Sequence, residues 1–162
     1  MDLLPFDDYV RSLNRKRMSA GVLFRDEADR VLFVEPSYKS HWDIPGGACE
    51  EGEPPWRTAA RETSEEVGID RPLGNLLVID YIPDDARMPE GLAFVFDGGL
   101  VTEAEIKALP ITDPEILSVA LLPLDTAAPR LKPILARRMA SALDAAHAGE
   151  LLICEDGRRI AR

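Results

Sequence analysis

Between Gly46 and Ile69 the chain reads GGACEEGEPPWRTAARETSEEVGI, with six glutamates and two arginines in twenty-four residues. If the stretch from Pro54 is a helix, Glu65 and Glu66 follow Glu62 by three and four residues. Side chains at those spacings are neighbours on a helix surface, so the three carboxylates point at one small volume. Such a cluster works against the helix. Like charges so placed repel by about 0.2–0.5 kcal/mol per pair, and the helix dipole disfavours negative charge near the C-terminal end. Arg57 and Arg61 offset part of that cost. A divalent cation among the carboxylates would account for the rest, and hard oxygen donors suit Mg²⁺ or Mn²⁺ better than zinc. The chemistry such a metal site would suit is phosphate chemistry. The competing reading is a solvated acidic face.

The elements that must position these groups are legible from pattern. A helix from about Pro54 to Val67 starts with proline, where the first N–H groups lack partners anyway. It ends at Gly68, suited to a left-handed cap. At about 100° per residue, Trp56, Ala59, Ala60, Thr63 and Val67 fall on one side, and the three glutamates roughly 120° away. Upstream, SAGVLFR and VLFVEP read as neighbouring strands or a hairpin, and HWDIPGG as a loop. Further strands are expected over 73–82, 91–99 and 115–124. A polar loop, PDDARMPEG, joins the first two, and TEAEIKALP supplies one or two helical turns. A C-terminal helix with Pro133 in its first turn ends at Gly149. LLICEDGRRI reads as a hairpin around Asp156-Gly157, packing back on the domain rather than across an interface. Several strands with two substantial helices predict an α/β or α+β sandwich. The expected organisation is an arm over 1–16, one domain over 17–149 and a tail or hairpin over 150–162.

The totals bound the function. With 162 residues the chain suits one domain with a real core. No run approaches the roughly 18 apolar residues of a membrane span. The start, MDLLPFDDYV, has no basic region followed by a long apolar core, so a cytoplasmic location is expected. A net charge of −10 disfavours nucleic acid as a partner. A small anionic substrate remains compatible if a cation neutralises the carboxylates that meet it. Cys49 and Cys154 read as free thiols, and His41 and His147 as structural or exposed.

The glutamate segment resembles the Nudix hydrolase box: Gly, five residues, Glu, seven residues, Arg-Glu-x-x-Glu-Glu-x-Gly, then an aliphatic residue. Here those are Gly47, Glu53, Arg61, Glu62, Glu65, Glu66, Gly68 and Ile69. Seven fixed identities would coincide by chance on the order of once in 10⁸ windows, so the resemblance outweighs the solvated-face reading. Thr63 departs mildly from a slot that is often aliphatic. The preceding WDIPGG also resembles the family's usual run-in.

The resemblance implies an α/β/α sandwich with a mixed central sheet, and metal-dependent hydrolysis of a diphosphate linkage in a nucleoside diphosphate derivative. It implies that Glu62, Glu65 and Glu66, with the carbonyl of Gly47, hold Mg²⁺ or Mn²⁺. Arg61 would pair with Glu53 and orient the glutamates. The general base is Glu62 within the box or Glu115 outside it, with Glu90, Asp84 and Asp85 as lesser candidates. Trp42, Tyr38, Lys39 and Arg17 are the candidate substrate contacts. Pro83, fourteen residues past Ile69, tilts the substrate toward ADP-ribose or a nucleotide sugar. The alternatives are a nucleoside triphosphate pyrophosphohydrolase and a nucleotide-binding module without catalysis. A homodimer is compatible with the resemblance.

Overall fold

Alternation along the strands divides the core in two, as the pleat requires when successive side chains point to opposite faces. In chain order the elements are α1 (Phe6–Ser12), β1 (Arg17–Arg25), β2 (Val31–Pro36), β3 (Gly46–Ala48), α2 (Pro55–Val67), β4 (Leu76–Ile82) and β5 (Gly91–Leu100). They continue as α3 (Glu103–Lys107), β6 (Ile116–Leu122), α4 (Leu124–Ala127), a 3₁₀ turn at Ala128–Arg130, α5 (Pro133–Ala148), β7 (Leu152–Glu155) and β8 (Arg158–Arg159). The structure, a computed structural model, describes residues 3–161.

All eight strands belong to one mixed sheet, in the order β6-β2-β1-β5-β4-β7-β8, with β3 paired to β1 off this path. β1 runs parallel to β5, and β4 parallel to β7, while β1–β2, β2–β6, β4–β5 and β7–β8 are antiparallel. On one face Val22, Phe24, Leu32 and Phe96 pack with Ala59 of α2. On the other, Leu23, Phe33, Val78 and Val95 pack with Leu135, Met139 and Ala142 of α5. Burying each such large side chain contributes about 1.5–3 kcal/mol, and these two layers hold α2 and α5 against opposite faces. The expected sandwich is therefore present.

The first strand pair and the closing hairpin form as the pattern predicts. SAGVLFR and VLFVEP become antiparallel neighbours, and the closing hairpin turns at Asp156-Gly157. The last strand of the 115–124 stretch is shorter than expected, because Pro123 precedes the short α4. The HWDIPGG loop ends in β3, which the loop reading missed; Ala20 and Gly21 of β1 pair with Gly47 and Gly46. α1 forms but buries none of its residues. No helix among the described residues is long and apolar enough to cross a membrane.

The face assigned to α2 needs correction. Its buried stripe is Pro55, Thr58, Ala59, Thr63, Glu66 and Val67, while Trp56 is 61% exposed and Ala60 is exposed. Trp56, the bulkiest apolar residue of the helix, points away from the sheet. The sheet instead receives the stripe at i, i+3, i+4, i+8, i+11 and i+12 from Pro55, and that stripe carries Glu66 inward. Gly68 caps the helix with φ 70°, its N–H donating to the carbonyl of Ser64.

Candidate active site

Arg61 is the hub of the acidic helix. Its Nε and Nη2 donate to the two carboxylate oxygens of Glu53 at 2.8 and 3.0 Å, a bidentate pair. Its Nη1 donates to Glu62 Oε1 at 2.9 Å and to Glu65 Oε2 at 3.1 Å. Glu53 also accepts from Thr58 Oγ1 at 2.7 Å and from the N–H of Glu50 at 3.1 Å. The hydrogen bonds from Arg61, with those from Glu50 and Thr58, pull the Glu53 carboxyl down to about 2. The same contact with Glu53 raises the Arg61 guanidinium further above its already high value.

The glutamates differ sharply in setting. Glu65 is over half exposed, whereas Glu66 is 7% exposed and accepts from the N–H of Gly46 at 2.9 Å. Burial pushes the Glu66 carboxyl up to about 8, against the hydrogen bond from Gly46, and the charges of Glu62, Asp43 and Asp113 push the same way. Burial also raises Glu62, partly offset by Arg61. Gly47 lies against Glu62 so closely that a Cβ there would stand 2.6 Å from Glu62 Cδ. The box glycine thus brings its own peptide beside a carboxylate, and a side chain there would have to displace the end of Glu62.

Among the described residues no three acidic, histidine or cysteine side chains form a ready-made metal cage. Arg61 instead bridges Glu62 and Glu65. The donor set still fits a hard divalent cation: a buried carboxylate held off its normal ionisation, a second one beside it, and a glycine peptide in contact.

At the start of α5 lies a cleft of about 420 Å³, lined in part by Arg17, Lys39, Trp42, Pro83, Lys132 and Arg138 and by none of the box glutamates. Three of the four expected substrate contacts, Arg17, Lys39 and Trp42, therefore meet in one place. Tyr38 is exposed beside them, with Lys39 Nζ 5.4 Å from its ring centre. Lys39 also pairs with Asp43 at 2.5 Å. One face of Trp42 carries the Arg130 guanidinium at 5.0 Å. Glu115 is exposed, and its carbonyl accepts from the N–H of Ser37 at 2.7 Å, next to Tyr38. Asp84 and Asp85 line the cleft, whereas Glu90 is tied to Lys16 and Tyr81. Sequence reading missed Asp43, Asp113, Lys132 and Arg138. Asp43 sits inside WDIPGG and was within reach of that motif; the others approach only through long-range pairing. His41 lines the cleft, and His147 pairs with Asp29 at the surface. Both cysteines are free thiols.

A profile described as the NUDIX domain matches residues 15–143. The chain belongs to the NUDIX family. Diphosphoinositol polyphosphate phosphohydrolase 2 of Rattus norvegicus is 46% identical over 66 residues, 40% of this chain and 37% of that protein. The matched part thus spans little more than a third of that relative's length. Among solved structures, a MutT protein of Methanosarcina mazei superposes with a TM-score of 0.64 at 23% identity, over 85% of this chain and 99% of that one. An ADP-ribose pyrophosphatase of Streptococcus suis superposes with a TM-score of 0.63 at 18% identity, over 87% and 99%. At such identities these two speak for the fold of this NUDIX chain.

Proposed function

We propose that this NUDIX chain hydrolyses the diphosphate linkage of a nucleoside diphosphate derivative by attack of water at phosphorus. The observation that carries the reading is the Arg61 hub, which ties Glu53, Glu62 and Glu65 together while Glu66 stays buried beside Gly46. Glu62, Glu65, Glu66 and the carbonyl of Gly47 would hold Mg²⁺ or Mn²⁺. When bound, a divalent cation there neutralises the nonbridging oxygens and lowers the pKa of water.

The remaining work falls to the chain's own side chains. Glu53 fixes Arg61, and Arg61 keeps Glu62 and Glu65 in register, so the carboxylates are oriented before substrate arrives. Glu62, raised by burial, takes the proton of the attacking water. Glu115, exposed beside Tyr38, is the second base candidate. Lys39, Arg17 and Trp42 line the cleft that receives the nucleotide. Pro83 in the same wall favours ADP-ribose or a nucleotide sugar over a nucleoside triphosphate.

The test is product release from ADP-ribose, nucleotide sugars, dinucleoside polyphosphates and nucleoside triphosphates, with Mg²⁺, with Mn²⁺ and with chelator. The expected result is one preferred diphosphate derivative whose cleavage stops under chelation. Folded, metal-supplied protein that leaves the whole panel intact would overturn the reading and favour a binding role.

A further inference from the structure

Asp80 of β4 has 0% exposure, yet its carboxylate is fully answered. Oδ1 accepts from the N–H of Gly157 at 2.9 Å and Oδ2 from Arg138 Nε at 2.7 Å. An isolated charge at that depth would cost several kcal/mol, so the partners explain how Asp80 is tolerated. They do not explain the rest of Arg138. Its side chain is only 11% exposed and lines the cleft. Among the described residues, Nε is its one side-chain nitrogen with an acceptor. The N–H groups on Nη1 and Nη2 remain, in a plane fixed from behind by Asp80. Such a fork suits two-pronged recognition of a phosphate or a carboxylate.

The wall around it is cross-linked by hydrogen bonds. Asp156, which also lines the cleft, accepts from Arg137 Nε through its carbonyl at 2.8 Å and pairs with Arg137 Nη2 at 2.8 Å. Ser141 Oγ donates to the carbonyl of Gly157 at 3.0 Å. This hairpin lies past the end of the NUDIX match at residue 143. Arg17 and Lys132 line the same cleft and form no ion pair among the described residues. Its acids are mostly occupied: Asp43 by Lys39, Asp85 by the N–H groups of Arg87 and Met88, and Asp156 by Arg137. Asp84 is the exception. Asp43 lines the cleft, and its charge acts on Glu66 of α2.

We propose that Arg138, positioned by Asp80, is the specificity-determining contact for an anionic group, phosphate or carboxylate, that the substrate carries away from its scissile diphosphate. This rests on the hydrolase reading and narrows its substrate to derivatives with an acidic distal part.

Equilibrium binding by titration calorimetry in chelator tests it without requiring turnover. The probes are UDP-glucose against UDP-glucuronate, and ADP-ribose against its 2″-phosphate. Wild-type protein is expected to bind the acidic member of at least one pair about tenfold or more tighter, the scale of a charge-assisted bidentate contact. In folded Arg138→Gln the preference falls to about one, with the neutral member's Kd held within about twofold. The responding pair tells carboxylate from phosphate. No preference in wild type, or equal weakening of both members in Arg138→Gln, overturns the proposal; the second result would mark a purely structural arginine. If Arg138→Gln does not fold, Arg138→Lys keeps the charge without the fork, and a full preference there overturns it. Asp80→Asn is expected to reduce the preference, and an unchanged one removes Asp80 from the positioning role. Intact preference with no hydrolysis in Mg²⁺ would leave the anion site standing and sink the hydrolase reading; hydrolysis without preference does the reverse.

Discussion

At the scale of single residues, Glu66 holds the tension in the site. A carboxylate pushed up to about 8 by burial is largely protonated at neutral pH when no cation is near, and only its ionised form ligates metal. Glutamine copies the protonated form in size and hydrogen bonding. Glu66→Gln is therefore expected to fold as well as wild type while turnover falls at least about 100-fold, the scale of losing a preorganised electrostatic group. Steady-state kinetics beside a thermal melt checks both halves. Near-normal turnover in a folded variant would remove Glu66 from the metal set. Gly47 belongs at the same scale, because the Glu62 carboxylate occupies the space a side chain there would need.

At the scale of the element, α2 serves packing and chemistry from one stripe. Thr63 lies in the buried part of that stripe, and its Oγ1 finds no hydrogen-bond partner among the described residues. An unsatisfied buried hydroxyl costs about 1–3 kcal/mol. Thr63→Val keeps the shape and removes the polar atom. The variant should melt higher by about 2–4 °C for each kcal/mol recovered in a chain of this size, with kcat unchanged. A lower melting temperature would mean that the hydroxyl has a partner. The mild departure from the family's aliphatic slot thus carries a physical cost, located in the helix that bears the glutamates.

For the whole molecule, the raised Glu66 makes stability depend on pH and cation together. Its folded value, about 8, lies above the ordinary 4.5. Between those values the native state holds a proton that the unfolded chain has released, so the stability of cation-free protein falls as pH rises through that window. A bound divalent cation needs the ionised form, so its protection grows over the same range. Melts from pH 5 to 8.5 should show a declining midpoint in chelator and a Mg²⁺-induced rise that widens with pH. A Mg²⁺ shift that is flat or shrinking with pH would contradict this linkage. Glu53 acts in the opposite sense, since its carboxyl is held near 2. Its contribution is present above about 4.5 and is lost as pH falls toward 2.

What the sequence determined by itself was local. The spacing of Glu62, Glu65 and Glu66, the proline and glycine at the ends of α2, and the period-2 strands follow from helix and strand geometry within short windows. So does the resemblance that named the family. The Arg61–Glu53 pair spans only eight residues, and the box carries it. Tertiary structure decided the rest. It chose which side of α2 faces the sheet, turning Trp56 out and Glu66 in. It set Asp43 and Asp113 near Glu66, and gathered Arg17, Lys39 and Trp42 around one cleft. The Asp80–Arg138 bond joins residues fifty-eight positions apart because α5 packs on β4, and β7, parallel to β4, leads to the turn that sets Gly157 on Asp80. Local spacing is written in the period of a helix or strand, while contacts of that length depend on strand order and register, which no short window of sequence contains.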